Sequence, residues 1–467
     1  MIALAARGAT SFSTLVSFSG TNGVTLGATP EARLVRGSDG SFYGTTLAGG
    51  TSNVGTLFKV TTNGAFSTLF DFSSSTNGDE PQASLIQGKD GNLYGTTGYG
   101  SPNFNPGMVF RITTKGVLTP MCHFQWTNGS AANGVIQAGD GNFYGTTLYG
   151  GANSRGTVFR ITAGGSLTTL YSFGSRIDAS QVSLDGAYPQ AALVQASDGA
   201  LYGTTVLGGT QGNFGTVFRI TTNGNFRTLI SFNGANGANP LSTLIQGFDG
   251  NLYGTTSAGG RDFAGTGFTG NGNLFGVTTN GSYFVLHEFA GSPQDGAQPN
   301  FIGLTLGTDG SVFGTTFSGG AGGLGTVFRR TPEGASVILH SFSAVDPKTE
   351  TNTDGAWPSA GVTQGSDGAL YGTAEFGGAH GNGTLFRISD PSWLAPRIRS
   401  VTQTNGNISF TWIPLPGRSY QVQSSAKLNP VTWANEGNPI SGSGPTMTAL
   451  VKIGAGTQRC YRLRLLP

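Results

Sequence analysis

The stretch Leu93-Tyr94-Gly95-Thr96-Thr97 decides the fold, because it recurs along the whole chain. Close copies begin at residues 42, 143, 201 and 252, and looser copies begin at residues 312 and 370. Recurrence at intervals of 50 to 60 residues is typical of repeat architectures, in which each unit packs on its neighbours. The sequence therefore predicts an array of seven similar units.

Each unit contains four strand-like pieces. In the second unit these are residues 83–87, the stretch 93–97, residues 108–113 and a final alternating piece. The last two pieces are often joined by Asn-Gly, as at Asn63-Gly64, and this pair suits the tight turn of a β-hairpin. Each unit is therefore predicted to be an up-and-down antiparallel sheet.

Seven such sheets bury both of their faces only when they pack radially, so the prediction is an all-β chain with a seven-bladed β-propeller over residues 11–390. The seventh unit lacks a fourth strand, and Phe12–Phe18 matches that missing strand, so the N-terminal strand is expected to close the ring. The glycine inside the repeated strand is expected to make room for an aromatic ring from the next blade.

The repeat stops near Ala395, and short alternating segments such as residues 408–412 and 419–423 follow it. This pattern predicts a small β-sandwich over residues 396–467.

Composition narrows the possible partners. Charged residues make up only 10% of the chain and the net charge is +2, so there is no basic surplus that would hold a nucleic acid. No apolar run is long enough for a transmembrane helix. Cys122 and Cys460 fall in different predicted domains and are expected to remain separate thiols.

The series Asp-Gly-x-Leu-Tyr-Gly-Thr-Thr, Gly-Gly and Gly-Thr-Val-Phe-Arg-Ile resembles the Gloeo/Verruco (GloVer) tandem repeat of bacterial surface or secreted proteins, over roughly residues 11–390. The C-terminal segments 415–422 and 459–462 are similar to a fibronectin-III-like module. The resemblance implies an extracellular or cell-surface location. It implies no activity, so it assigns no catalytic residues, and no cofactor is expected.

Two repeated sets of polar residues are interpreted as scaffold. An Asp before Gly forms a tight turn in every unit, and six units carry a Lys or Arg after the Phe of the third strand, whereas the fifth has Gly276. Each turn Asp is expected to pair with this base, which leaves Asp249 without one. His123, His287 and His340 fall in three separate units, so no metal site is predicted.

The candidate site lies where the repeat varies. The loops between strands two and three and the crossovers between units are expected to share one face of the propeller. Aromatic side chains beside polar groups suit stacking on sugar rings, although the crossover aromatics could equally plug the channel mouth. The predicted ligand-binding residues on this face are Tyr99, Tyr149, Tyr188, Trp357, Arg155, Arg261 and Glu80.

Three functions are compatible with these residues. The preferred hypothesis is a secreted or surface protein, without catalytic activity, that binds a glycan. The first alternative is a polysaccharide-degrading hydrolase or lyase on the same face, for which Glu375, His380 and Asp262 are the acid–base candidates. The second alternative is a structural or adhesive surface protein.

Overall fold

The fold was analysed in a computed structural model. It describes residues 10–73, 78–98, 106–265, 268–299, 303–390, 393, 398–404, 406–412, 419–426, 432–441, 447–452 and 459–466. Within these ranges the chain is all-β, without an α-helix, and its repeat region forms seven four-stranded antiparallel sheets.

The seven sheets are numbered in chain order, and each begins with a short strand next to the repeated Tyr-Gly-Thr strand. Their strands are as follows: sheet 1, Val35–Arg36, Phe42–Thr46, Thr56–Val60 and Phe66–Asp71; sheet 2, Ile86–Gln87, Leu93–Thr97, Met108–Ile112 and Leu118–His123; sheet 3, Ser130–Gln137, Phe143–Tyr149, Thr157–Ile161 and Leu167–Ser172; sheet 4, Val194–Gln195, Leu201–Thr205, Thr216–Ile220 and Phe226–Ser231; sheet 5, Ile245–Gln246, Leu252–Thr256, Asn273–Val277 and Tyr283–Glu288; sheet 6, Thr305–Leu306, Val312–Thr316, Thr326–Arg330 and Ser336–Ser341; sheet 7, Thr363–Gln364, Leu370–Ala374, Thr384–Ser389 and Ser11–Ser17.

The last strand of sheet 7 comes from the N-terminus, as the sequence predicts. Ser11–Ser17 pairs antiparallel with Thr384–Ser389, so residues more than 360 positions apart complete one sheet. The seven sheets surround a cavity of about 590 Å³, and residues from all seven line it, mainly on or beside the first strands. The arrangement is therefore propeller-like, with the first strands innermost.

The repeated glycine makes room for an aromatic ring, but the expectation that this ring comes from the next sheet is wrong. Gly44 is paired across the sheet with Phe58 of its own third strand, whose ring covers it. A Cβ atom in place of the glycine hydrogen would stand 2.5–2.7 Å from the equivalent Phe in every sheet. The ring belongs to the same sheet because residues in register on neighbouring strands project from the same face.

Packing between sheets uses a second phenylalanine, at the end of each fourth strand. Phe18 meets Phe58 edge-on at a centroid distance of 5.3 Å, and this contact joins sheet 7 to sheet 1. The equivalent contacts recur at 5.0–5.7 Å in the pairs Phe72–Phe110, Phe124–Phe159, Phe173–Phe218, Phe232–Phe275, Phe289–Phe328 and Phe342–Phe386. Edge-to-face aromatic pairs of this kind favour a fixed angle between neighbouring sheets.

The other residues of the repeated strand also have structural partners. In four sheets the first threonine bridges to the next sheet: its hydroxyl donates to a backbone carbonyl there at 2.8–3.4 Å, as in Thr96 to Ala132 and Thr146 to Ala191. The hydroxyls of Thr45 and Thr373 have no hydrogen-bond partner among the described residues. The second threonine bonds a threonine of the third strand, as in Thr46 with Thr56. The side chains of the repeated strand therefore serve mainly to hold the sheets together.

The predicted pairing of turn aspartate with base is confirmed in four sheets, where Lys59–Asp39, Arg219–Asp198, Arg329–Asp309 and Arg387–Asp367 lie at 2.6–3.1 Å. Among the described residues, no ion pair joins Arg111 to Asp90 or Arg160 to Asp140 in sheets 2 and 3. There Asn92 and Asn142 donate their side-chain amides to the aspartate at 2.7 and 2.9 Å. An asparagine two residues after the aspartate thus takes the place of the base.

In sheet 5, no base among the described residues pairs with Asp249, in agreement with the prediction, and Asp249 accepts from Asn251 at 2.8 Å. Gly276 stands at the base position there, and a side chain on it would collide with the ring of Phe284. The sequence analysis missed a further partner of these turns. The tyrosine of the repeated strand donates its hydroxyl to the turn aspartate at 2.5–2.8 Å in six sheets, through Tyr43, Tyr94, Tyr144, Tyr202, Tyr253 and Tyr371.

After the repeat, the described residues form two three-stranded sheets. One contains Ile398–Thr404, Asn407–Trp412 and Met447–Lys452, and the other contains Ala434–Ser441, Ser419–Ser425 and Cys460–Leu465. The two share a hydrophobic cluster in which Trp412 contacts Tyr420 at a centroid distance of 5.5 Å. Cys122 and Cys460 are both free thiols.

Candidate functional site on the crossover face

The crossovers between sheets and the loops between second and third strands lie on one face, here called the crossover face. The Glu80 N–H in the first crossover donates to the carbonyl of Val54 in the loop of sheet 1 at 3.2 Å. The Glu80 carbonyl accepts from Gly98, at the end of the second strand of sheet 2. The predicted location of the variable residues is therefore correct for those that the structure describes.

A ring of seven left-handed residues defines this face. Glu80, Tyr188 and Trp357, which the sequence analysis singled out, have φ values of 53°, 58° and 52°. The equivalent residues Thr29, Ala131, Asn239 and Gln298 have φ values between 53° and 55°. All seven N–H groups donate to the loop of the preceding sheet at 2.8–3.2 Å. One fixed backbone geometry thus carries seven positions whose side chains range from a methyl group through amides and a carboxylate to aromatic rings.

The sequence analysis found three of these seven positions because they are charged or aromatic. The other four have ordinary small or amide side chains, and a proline follows only three of them. Positive φ at a residue other than glycine costs about 1–3 kcal/mol. The left-handed conformation of the other four residues cannot be predicted from their residue types. Their constant position a few residues before the first strand of each sheet is the signal that could have identified them.

Two aromatic groups on the crossover face contain a residue of the left-handed ring. Tyr149 is 43% exposed and contacts Tyr188 edge-on at 5.8 Å. Trp357 contacts Phe317 at 6.1 Å with nearly parallel rings and Phe376 at 5.4 Å edge-on. Phe317 and Phe376 were missed because they lie one or two residues beyond the repeated strand, where hydrophobic residues look like continued core. Neither Tyr188 nor Trp357 is among the described residues that line the central cavity.

Arg155 is held in place by the crossover that follows it. Its guanidinium donates to the hydroxyl of Ser183 at 2.6 Å and to the carbonyl of Gln181 at 3.0 Å. Its backbone carbonyl also accepts from Tyr188, so this arginine lies beside the Tyr149–Tyr188 pair. Tyr99 lies outside the described residues.

The three acid–base candidates lie in the loops of sheets 7 and 5. Glu375 is hydrogen-bonded to Glu31, which the sequence analysis did not select, and it accepts from Ser359 at 2.6 Å. His380 and Asp262 are exposed on loops of sheets 7 and 5, and Asp262 accepts from Asn271 at 2.9 Å. Arg261, beside it, is also exposed. No described cluster of three or more His, Cys, Asp or Glu residues has a geometry suited to a metal ion.

The Glu31–Glu375 pair is the most perturbed acidic group on this face. Burial, and then the negative charge of Glu375, raise the pKa of Glu31 to about 7. Burial also raises the pKa of Glu375, while its hydrogen bonds with Ser359 and Glu31 oppose that change. Glu80 has a raised pKa because of burial and of the neighbouring Asp79. Burial and the neighbouring negative charge therefore favour the protonated form of Glu31 in the folded chain.

One member of this acidic pair, Glu31, lines the central cavity. Arg33 lines it as well, and amide side chains from the next three sheets, Gln82, Asn133 and Gln190, add polar groups. Arg33 links sheet 1 to sheets 7 and 6: its Nε donates to the Thr363 hydroxyl at 3.2 Å and its Nη1 to the Leu304 carbonyl at 3.3 Å. The sequence analysis missed Arg33 because nothing in the sequence separates it from surface arginines.

Comparison with known proteins gives a family and a fold. The sequence model of the Gloeobacter/Verrucomicrobia repeat matches residues 4–184, 176–271 and 267–413, which together make up most of the chain. No curated protein matches the sequence.

Among solved structures, the extracellular domain of a protein assigned as a hybrid two component system from B. thetaiotaomicron aligns at 12% identity with a TM-score of 0.51. The alignment covers 97% of this chain and 55% of the other, so this chain spans about half the length of that protein. A gluconolactonase from Xanthomonas campestris aligns at 14% identity with a TM-score of 0.39, covering 72% of this chain and 90% of that one. The first likeness shows a propeller-like fold, and no helix among the described residues is long and apolar enough to cross a membrane.

Proposed function

The chain belongs to the Gloeobacter/Verrucomicrobia repeat family, and we propose that it is a secreted or surface binding protein that recognises a glycan on its crossover face. In this proposal residues 11–390 are one seven-bladed propeller, and residues 396–467 are a fibronectin-III-like sandwich. The observation that carries the proposal is the ring of seven left-handed residues, which holds different side chains on one repeated backbone frame. Scaffolds that present a variable site on fixed loops have this organisation.

The aromatic groups suggest the ligand class. Tyr188 with Tyr149, and Trp357 with Phe317 and Phe376, place rings beside the amide, hydroxyl and arginine groups of the same face. Aromatic faces pack on the apolar C–H faces of sugars, while polar neighbours bond the hydroxyls. A polymer with several sugar units would reach more than one of these groups at once.

A glycan array on the purified chain tests the proposal. Tyr188→Asn and Trp357→Asn remove the rings but retain the backbone, because Asn239 already occupies the equivalent position with a φ of 53°. We expect the double variant to lose at least about tenfold in affinity for any glycan that the wild type binds. The matched control is Phe248→Ala, which removes a 56% exposed ring from a turn on the opposite face. Unchanged binding by the double variant would remove the proposed site.

A second candidate function, a glycan-degrading hydrolase or lyase, is favoured by the Glu31–Glu375 pair. An acid with a pKa of about 7 is suited to general acid catalysis near neutral pH. Glycosidase carboxyls, however, stand about 5–10 Å apart, whereas these two are in direct hydrogen-bond contact. Product analysis on any polysaccharide that binds decides the matter. Turnover that disappears in both Glu31→Gln and Glu375→Gln would favour the enzyme, and binding without products would favour the first proposal.

A further inference from the structure

Arg33 carries a charge inside the cavity with no carboxylate counter-ion among the described residues. Its guanidinium has five N–H groups, and the two contacts within the protein use the Thr363 hydroxyl and the Leu304 carbonyl, which are both neutral. Arg33 lines the cavity, and its Nη2 group donates no hydrogen bond within the described part of the chain. Burial lowers the pKa of this guanidinium. Arg33 is half-buried, and a charge that is partly withdrawn from water is more stable when an anion compensates it.

The charged groups of the cavity are separated along its axis. The segment that leads into the first strand of sheet 1, together with that strand, runs from the crossover face towards the opposite face. It places Glu31, Arg33 and Arg36 in that order along the cavity wall. The acidic pair therefore stands at the crossover end, Arg33 in the interior, and the exposed Arg36 at the far end. An anion that enters from the far end meets Arg36 first and then Arg33, away from the acidic pair.

We propose that the cavity binds a small organic carboxylate of the sugar-acid class, with its carboxylate on Arg33. The Nη1–Nη2 edge of a guanidinium fits a carboxylate through two parallel hydrogen bonds. The amides of Gln82, Asn133 and Gln190 then face the hydroxyls of the ligand. Asn133 already donates its Nδ2 to the carbonyl of Pro189 at 2.7 Å, so its Oδ1 is oriented to accept from such a hydroxyl.

The volume agrees with this ligand class. A cavity of about 590 Å³ lies within the range of roughly 300–1,000 Å³ of small-molecule sites. The site is separate from the aromatic groups of the crossover face, because neither Tyr188 nor Trp357 is among its described lining residues. The test of this cavity site is therefore independent of the glycan-array result.

The test is calorimetric titration of the full chain with glucuronate and, in parallel, with glucuronamide, which has the same hydroxyls and no charge. We expect saturable binding of glucuronate and at least about tenfold weaker binding of glucuronamide, because charge-assisted hydrogen bonds are lost. Arg33→Gln should weaken glucuronate binding by a similar factor. The matched control is Arg227→Gln, which removes an exposed guanidinium from the fourth strand of sheet 4.

Arg33 also joins three sheets, so Arg33→Gln could fail to fold. Arg33→Lys covers that case, since lysine keeps the charge but loses the planar pair of donors, and it should weaken glucuronate binding while its thermal unfolding shows a folded chain. The proposal is overturned if the wild type does not bind glucuronate or binds both probes equally. It is also overturned if a folded Arg33 variant binds glucuronate as tightly as Arg227→Gln.

Discussion

The ring of Phe58 lies directly over the α-carbon of Gly44, with its Cζ atom 2.5 Å from the place where a Cβ would stand. The two residues are paired across neighbouring strands of one sheet. Phe58 then meets Phe18 of the adjoining sheet. The glycine therefore sets how deeply the phenylalanine sits, and the phenylalanine sets how the two sheets meet.

Replacing this glycine should damage the fold. In Gly44→Ala the new methyl group would overlap both Phe58 and Leu34, so we expect a loss of about 2–3 kcal/mol in the free energy of unfolding. The control is Gly164→Ala, whose methyl group would have its nearest neighbour at 3.9 Å and whose φ is not positive. Denaturant unfolding of both variants measures the difference. Equal stability of the two would contradict the packing role of Phe58.

Closure by the N-terminal strand predicts that Phe18 is a core residue. Phe18 is fully buried although it lies near the start of the chain, and Phe18→Ala should cost about 3 kcal/mol or more, as for other large-to-small changes in a core. Val24→Ala, which alters a side chain that is 92% exposed six residues later, should change stability by less than about 0.5 kcal/mol. Calorimetric melting compares them. If both variants melt as the wild type does, the strand does not close the ring in solution.

The Glu31–Glu375 pair predicts a stability that falls as the pH rises. The folded chain holds the Glu31 proton up to a pH of about 7, whereas the unfolded chain releases it near 4.5. Between these values the unfolded state binds fewer protons, so stability decreases with pH. Glu31→Gln resembles the protonated acid and should remove this decrease. We expect it to match the wild type near pH 4 and to exceed it by about 1–3 kcal/mol at pH 8.

Urea unfolding at pH 4, 6 and 8 measures this effect. Glu350→Gln, at an exposed position in a crossover loop, is the matched control and should follow the wild-type pH profile. Parallel profiles for Glu31→Gln and the wild type would mean that Glu31 is not held protonated in the folded chain.

Sheet 5 offers a test of why one unit departs from the repeat. Gly276→Arg would restore the base opposite Asp249, but the new side chain would collide with Phe284, so we expect a loss of about 1–3 kcal/mol. Adding Phe284→Thr should recover most of that loss, because sheet 3 combines Arg160 with Thr168 at the equivalent pair. Phe284→Thr alone completes the double-mutant cycle. Additive effects in that cycle would show that the two positions do not interact.

The repeated strand and its spacing were enough to predict the four-stranded sheets, the contribution of the N-terminal strand and the turn aspartates with their bases. These features follow from local pattern: alternation, tight-turn residues and a constant period. The prediction that the repeated glycine makes room for an aromatic ring was right, but the ring comes from the same sheet and not from the next one. The register between strands decides which residues face each other, and the register cannot be read from the sequence. The base pairing failed at Asp90 and Asp140 because a nearer amide, two residues along the chain, competes successfully.

The sequence by itself determined that this chain is a repeat of short antiparallel strands, because alternation, tight-turn residues and a constant period are local patterns. Only the tertiary structure decided which variable residues meet. Glu31 and Glu375 lie 344 positions apart, yet they share a hydrogen bond because the last sheet is completed beside the first. Arg33 became notable for the same reason: ring closure surrounds it with neutral partners from sheets 6 and 7 and leaves its charge facing a cavity.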